Sequence, residues 1–267
     1  MEDSKDQHLL VERRGHTAIL TLNRPQARNA FSAQMLARMA EAWDMIDDDP
    51  EVRAAVITGA DGTFCAGADL KAMNATQQDD EYARRFRENS DTAWQALLRH
   101  RRLAKPLIAA VEGYAVAGGT ELLQATDIRV AGESATFGVV EVTRALFPLG
   151  GSTVRLPRQI PYTKAMELLL AGETLTAEEA QRWGLVGRTV PNGQALDEAL
   201  RLADRIAANG PLAVQAIKRS VQQASGMPEE EALKNELEIG MPIFGTEDAK
   251  EGTLAFKEKR EPRYQGR

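Results

Sequence analysis

The sequence predicts an α/β protein with a helical C-terminal segment. Short apolar runs closed by glycine crowd the chain up to about residue 190, and amphipathic helical stripes dominate after that. The chain has 267 residues, 43% of them hydrophobic, which is enough for a full core without disulfide or metal staples. Taken in order, Leu9–Arg13 and Thr17–Leu22 read as a hairpin around Arg14-Gly15-His16, and Asn23-Arg24-Pro25 breaks its second strand. Ser32 is placed to N-cap a helix. Phe31, Met35, Met39, Trp43 and Ile46 then fall on one helical face, and Asp47-Asp48-Asp49-Pro50 ends it. Ala54–Thr58 reads as a buried strand, closed by Gly59 and Gly62. The polar stretch Asn74–Glu81 reads as a mobile loop.

Tyr82–Leu103 has a helical period and is rich in arginine, and Pro106 breaks it. Leu107–Val111 is the next strand, Gly118–Ala125 a short helix, and Asp127–Ala131 another strand before Gly132. Thr176 and Glu179 fit a capping box. Leu196, Ala199, Leu200, Ala203 and Ile206 form an apolar stripe stopped by Asn209-Gly210. Pro211 suits the first turn of the following helix, whose core face is expected at Val214, Ile217 and Val221. No low-complexity tract occurs, and no repeat is strong enough to assign a period.

Lysine plus arginine number 33 and aspartate plus glutamate 39, so the net charge is 33 − 39 = −6. That balance argues against nucleic acid as the main ligand, since phosphate binding needs a cationic surface. Cys65 is the single cysteine, so an intramolecular disulfide is excluded, and it is expected to be a small buried hydrophobe. With three scattered histidines, a zinc site of the usual N/S kind is not expected. The N-terminus lacks a secretory pattern, and no run approaches the ~20 apolar residues of a membrane span. A cytoplasmic protein that does not enter membranes is expected. Walker, dinucleotide-binding and nucleophile-elbow motifs are all missing. Glycine-rich turns near carboxylates remain, and they point to acid–base chemistry on a substrate held by backbone amides.

Two turns carry that reading. Phe64-Cys65-Ala66-Gly67-Ala68-Asp69-Leu70 follows a strand, and its small residues let a ligand approach the main chain. Gly67 can take a positive φ, which turns the N–H of Ala68 outward. Gly113–Glu121 leads into a short helix whose N-terminus offers unpaired N–H groups. One N–H from Ala68 and one from Gly118 would make a two-donor oxyanion hole. Glu121 lies in the first helical turn, where the helix dipole alone also favours a carboxylate. Glu141 is the only charge between Ala135 and Thr143. Partial burial there would raise its pKa unless Arg144 supplies a nearby charge. A surface glutamate on a strand or turn is the plainer alternative.

Together these segments resemble the enoyl-CoA hydratase/isomerase (crotonase) superfamily. The resemblance runs through Asn23-Arg24-Pro25 with Asn29-Ala30, Phe64–Leu70, Pro106–Asp127, and Phe137-Gly138 with Glu141. It continues through Pro148 with Gly150-Gly151, Arg155-Leu156, Ala177–Ala180, Gly184-Leu185-Val186, Glu251-Gly252 and Ala255–Arg260. It implies a spiral ββα core over residues 1–205 and a helical trimerisation region over residues 206–267, assembling as a homotrimer or dimer of trimers. It also implies acyl-CoA substrates, with coenzyme A entering as part of the substrate and no cofactor.

By the same resemblance, Ala68 and Gly118 form the oxyanion hole, and Glu121 and Glu141 are the two acids of the hydratases. Isomerases of the family keep only the second acid, so a Δ3-Δ2 isomerase using Glu141 alone is the nearest rival. Arg28, Ala66, Asp69, Leu70 and Lys71 are implied contacts for coenzyme A, and Phe256 and Lys259, on one helical face, for that of a neighbouring subunit. Leu149 stands where the family has a glycine whose amide helps place the catalytic water, and Ala117 replaces the first glycine of a Gly-Gly-Gly. Met73, Trp94, Phe147 and Leu149 are expected to line the acyl pocket. Some relatives bind RNA, and Arg84, Arg85, Arg87, Arg99, Arg101, Arg102 and Lys105 are the one basic cluster that would serve that distant alternative.

Overall fold

The computed structural model describes residues 7–69 and 81–267. Leu70, Lys71, Met73 and nearly all of the expected loop at 74–81 lie outside the described residues.

The hairpin forms as expected, β1 (Leu9–Arg14) pairing antiparallel with β2 (Thr17–Leu22). Ser32 caps α1 (Ala33–Asp48) by accepting from the N–H of Met35, and Met35, Met39, Trp43 and Ile46 are all buried. The Trp43 indole, fully buried, donates to the Ala96 carbonyl at 2.9 Å, so its one polar atom is satisfied. Next come β3 (Ala54–Gly59), β4 (Leu107–Val111), β6 (Ile128–Gly132) and β9 (Arg188–Val190). They extend one six-stranded sheet in the order β1-β2-β3-β4-β6-β9, parallel from β2 onward. The apolar runs at 54–57 and 107–111 are buried throughout, as strands covered on both faces must be.

A second sheet was not expected from the sequence. It joins β5 (Tyr114–Val116), β7 (Thr136–Gly138) and β8 (Thr174–Thr176), each three residues long and too short to show an alternating pattern. Its strands follow those of the large sheet: β4 leads through Glu112-Gly113 into β5, and β6 leads to β7. After β3 the chain makes the same move, with Cys65 bridging to Ala115. The result is a spiral of strand–strand–helix turns.

The arginine-rich stretch is not one helix. It divides into α2 (Glu81–Glu88) and α3 (Thr92–Ala96), because the side chain of Asn89 accepts from the N–H of Asp91 and diverts the backbone between them. Further on are α4 (Gly118–Leu123), α5 (Ser152–Gln159), α6 (Tyr162–Ala171) and α7 (Ala177–Arg182), the last with the full Thr176–Glu179 capping box. α8 (Ala195–Ala207) lays its apolar stripe over the large sheet, around Val56, Ile108 and Val130. Residue 205 falls inside this helix, and the chain leaves the sheet at Asn209-Gly210.

Beyond it lie α9 (Pro211–Ala224), α10 (Glu229–Gly240) and α11 (Glu247–Glu258). The face of α9 expected to be core points the other way: Ile217 is 66% and Val221 68% exposed. The sequence periodicity located the stripe but could not say what covers it. No helix of the described residues is long and apolar enough to cross a membrane.

Candidate active site

The two turns meet. Phe31 donates to the Gly67 carbonyl at 2.8 Å, and a parallel bridge holds Phe31 against Ala68. Gly67 sits at φ +90°, and a Cβ there would lie 2.9 Å from the Gly118 nitrogen, so the turns touch through glycine backbone. Neither the Ala68 N–H nor the Gly118 N–H donates to a group among the described residues. Ala68 is exposed and Gly118 half-buried, so a ligand oxygen can reach both.

Ala117, just before Gly118, holds φ 51° and ψ −127° without being glycine. It is fixed by donating to the Gly138 carbonyl at 2.8 Å. The Thr120 hydroxyl donates to the Ala115 carbonyl at 2.5 Å and accepts from the Gly138 N–H at 3.1 Å. One residue thereby joins β5, α4 and β7. The far end of α4 is closed by Arg129, whose buried guanidinium donates to the carbonyls of Leu123, Gln124, Thr126 and Leu185. Burial pulls Arg129 down to about 10, and these carbonyls are what hold a cation there.

Glu121 is 4% exposed. Its two carboxylate oxygens accept from the N–H of Gly150 at 2.9 Å and of Ser152 at 3.1 Å. Gly150 has no room for a side chain: a Cβ would stand 2.6 Å from Glu121 Oε2. The amides on this acid are therefore those of Gly150 and Ser152, while Leu149 is 53% exposed beside them. Glu141 begins a 3-10 turn, Glu141–Arg144, three residues after β7. It is half-buried, and its Oε2 is fully buried without a hydrogen-bond partner. Desolvation, with a smaller contribution from the charge of Glu121, lifts its pKa to about 7. Arg144 opposes this only weakly and donates instead to the Thr143 hydroxyl, so the expected counter-charge is not a partner.

The other expected contacts divide. Arg28 is beside the first turn: its carbonyl accepts from Ala66 N at 3.0 Å, and its guanidinium stands 5.6 Å above the Tyr114 ring. Asp69 is taken up in a 2.7 Å ion pair with Arg24. Phe256 is 87% exposed on α11, but Lys259 lies past the helix end at φ 56°, so the two do not share a helical face. The Cys65 thiol is fully buried and pushed up to about 12 by that burial.

The basic cluster is largely used within the molecule. Arg101 pairs with Asp44 and Asp47, Arg85 with Glu41, and Lys105 donates to the Asp49 carbonyl. Arg102 donates to the Gln222 carbonyl. Sequence reasoning did not find Gly150, Ser152, Thr120 or Arg129, because their part is played by main-chain or buried atoms that leave no residue-type pattern.

A ligand carbonyl between two open N–H groups, with two acids beside it, is the arrangement of the crotonase-type spirals. Residues 12–267 match the family model described as enoyl-CoA hydratase/isomerase. Enoyl-CoA hydratase EchA19 of Mycobacterium tuberculosis is 58% identical over 260 residues, 97% of this chain and 96% of that one. The crystal structure of enoyl-CoA hydratase EchA1 from Mycobacterium marinum superposes with TM-score 0.87 at 44% identity, covering 98% of this chain and 100% of that one. An enoyl-CoA hydratase structure from Mycobacterium tuberculosis gives TM-score 0.87 at 43% identity, with the same coverage. The chain belongs to the enoyl-CoA hydratase/isomerase family, in its hydratase-like branch.

Proposed function

We propose that this enoyl-CoA hydratase adds water across the 2,3 double bond of a trans-2-enoyl-CoA through Glu121 and Glu141, giving a 3-hydroxyacyl-CoA in fatty-acid or related acyl-CoA degradation. Conjugation with the thioester makes C3 electrophilic. As water attacks, negative charge moves onto the thioester oxygen, where the Ala68 and Gly118 N–H groups receive it. One such donor is worth about 3 kcal/mol in a site that excludes water. Glu121, whose oxygens are both acceptors of main-chain N–H groups, is suited to the ionised form and takes the proton from water. Glu141, desolvated and with its buried Oε2 unpartnered, is suited to the neutral form and delivers its proton to C2. The products balance: hydroxide to C3, a proton to C2, and the water proton left on Glu121.

The observation that carries this reading is the pair of acids at one site with opposite surroundings. Coenzyme A enters with the substrate, and no metal is needed for these proton transfers. Arg28 and Ala66 are positioned beside the open N–H groups to meet it, with Leu70 and Lys71 following in the chain and Phe256 and Lys259 offered to a neighbouring subunit. A cytoplasmic homotrimer or dimer of trimers fits the exposed apolar residues of α9 and α10, Ile217, Val221 and Leu237 among them. The test is absorbance at the conjugated enoyl-thioester band. Hydration of a trans-2-enoyl-CoA bleaches it. If a 3-enoyl-CoA gains the band while the 2-enoyl substrate is left untouched, the chain is instead a Δ3-Δ2 isomerase working through Glu141 alone. A panel of chain lengths then identifies the acyl group that Trp94, Phe147 and Leu149 admit.

A further inference from the structure

Glu121 depends on a turn, Leu149–Ser152, that supplies both of its N–H donors. What holds that turn is a pair of guanidinium groups running in opposite directions between two segments distant in sequence. From α5, Arg155 donates to the Gly150 carbonyl at 3.3 Å and to the Leu98 carbonyl at 2.5 Å. From the other side, Arg99 donates through Nε to the Leu149 carbonyl at 2.8 Å. Each segment therefore grips the backbone of the other.

The grip is braced on both sides. Leu98 is buried and held at φ 52°. Arg99 lies 5.3 Å from the Trp94 ring and contacts His100, which in turn meets Asp91 at 2.5 Å. The Arg155 guanidinium lies against Gly151, within 3.2 Å of where a Cβ would stand. The Leu149 carbonyl and the Gly150 N–H belong to one peptide plane, so the Arg99 grip orients that donor directly, and the Arg155 grip on the Gly150 carbonyl fixes the next plane, one residue before the Ser152 N–H. None of these arginine contacts is with a carboxylate, which sets them apart from the ion pairs of Arg101 and Arg85.

We infer that Arg155 is a positioning residue for hydration: with Arg99 as its counterpart, it sets the Leu149–Ser152 turn and through it the Glu121 carboxylate. The inference rests on Glu121 being the base, as proposed above. The charged groups concerned are Glu141 and Arg155 facing Glu121, and Arg99 and Arg102 facing Arg155.

The experiment compares Arg155→Met, Arg155→Lys, Arg99→Met and Glu121→Gln in hydration of a trans-2-enoyl-CoA, with kcat, KM and the pH profile of kcat/KM for each. In Arg155→Met, kcat falls about tenfold or more while KM stays within about threefold, because a displaced base weakens the chemical step and leaves binding alone. Arg155→Lys restores part of kcat. Arg99→Met shows the same pattern with a smaller loss, and it decides the matter if Arg155→Met does not fold. Wild-type kcat in the folded variants overturns the inference, and so does a loss carried wholly by KM. Should Glu121→Gln hydrate at the wild-type rate, the reading of Glu121 fails first. Should it be inactive while both arginine variants behave as wild type, only this inference fails.

Discussion

The surroundings of Glu121 and Glu141 differ in what the main chain offers them. Glu121 sits in the first turn of α4 with an N–H on each oxygen. Glu141 starts a 3-10 turn with Oε2 buried and unpartnered, and the one backbone hydrogen bond its carboxyl receives comes from its own residue. In the proposed mechanism the same side chain takes opposite proton duties from its surroundings, two N–H groups of a distant turn on Glu121 and desolvation on Glu141, not from any difference in residue type. The split also makes the site economical: one turn, Leu149–Ser152, serves one acid, and the absence of such a turn serves the other.

Removing either acid is the harshest way to break this comparison. Glu121→Gln and Glu141→Gln are each expected to lower kcat for hydration by about 10²–10⁴-fold. Equal pH profiles in the two variants would mean that the acids are not differentiated. Next in size is Gly150→Ala. Its Cβ must push the Glu121 carboxylate aside, and a displacement of that order costs about 10²-fold in kcat.

The pH dependence sharpens the contrast. In the proposed mechanism Glu141 acts in its neutral form, so kcat/KM of the free enzyme is expected to fall as pH rises through about 7, and this limb to be absent from any residual activity of Glu141→Gln. Stability follows the same sign. A carboxyl raised from 4.5 to about 7 on folding stabilises the protein fully below the lower value, and that contribution is lost as pH rises through the upper one. The melting temperature of Glu141→Gln measured against wild type should therefore rise between pH 5 and pH 8, by a few degrees.

The smallest effect concerns what both acids share. Ala117→Gly relieves a φ of 51° at the residue before Gly118, and it is expected to stabilise the fold by about 1 kcal/mol after the entropy cost of glycine. Thermal unfolding of the variant measures it, and destabilisation would show that the Ala117 methyl is needed against Gly67.

Much of this was legible in residue types. Ser32, the α1 face and the Thr176–Glu179 box are local signals, and the structure keeps them. Glu121, Glu141, Ala68 and Gly118 were singled out because small residues and isolated acids next to strands form a pattern, while the roles expected of them came from the family resemblance. Gly150 and Ser152 escaped because an N–H belongs to every residue but proline, so donating one leaves no mark. Arg155 was visible only as part of a family resemblance, since nothing in Val154-Arg155-Leu156 says which carbonyls it reaches. The three-residue strands of the small sheet are shorter than any period can register. The α9 stripe of Ile217 and Val221 was seen as apolar and placed inside, but periodicity marks a face without naming what lies against it.

Cys65 has a practical corollary. Its sulfur is shut away and stays a thiol at any ordinary pH, so alkylating reagents and mild oxidants should leave the enzyme at full strength. A cysteine engineered onto the surface would then be the sole attachment point for a dye or spin label, and the folded molecule could be tagged at one chosen address without first deleting anything.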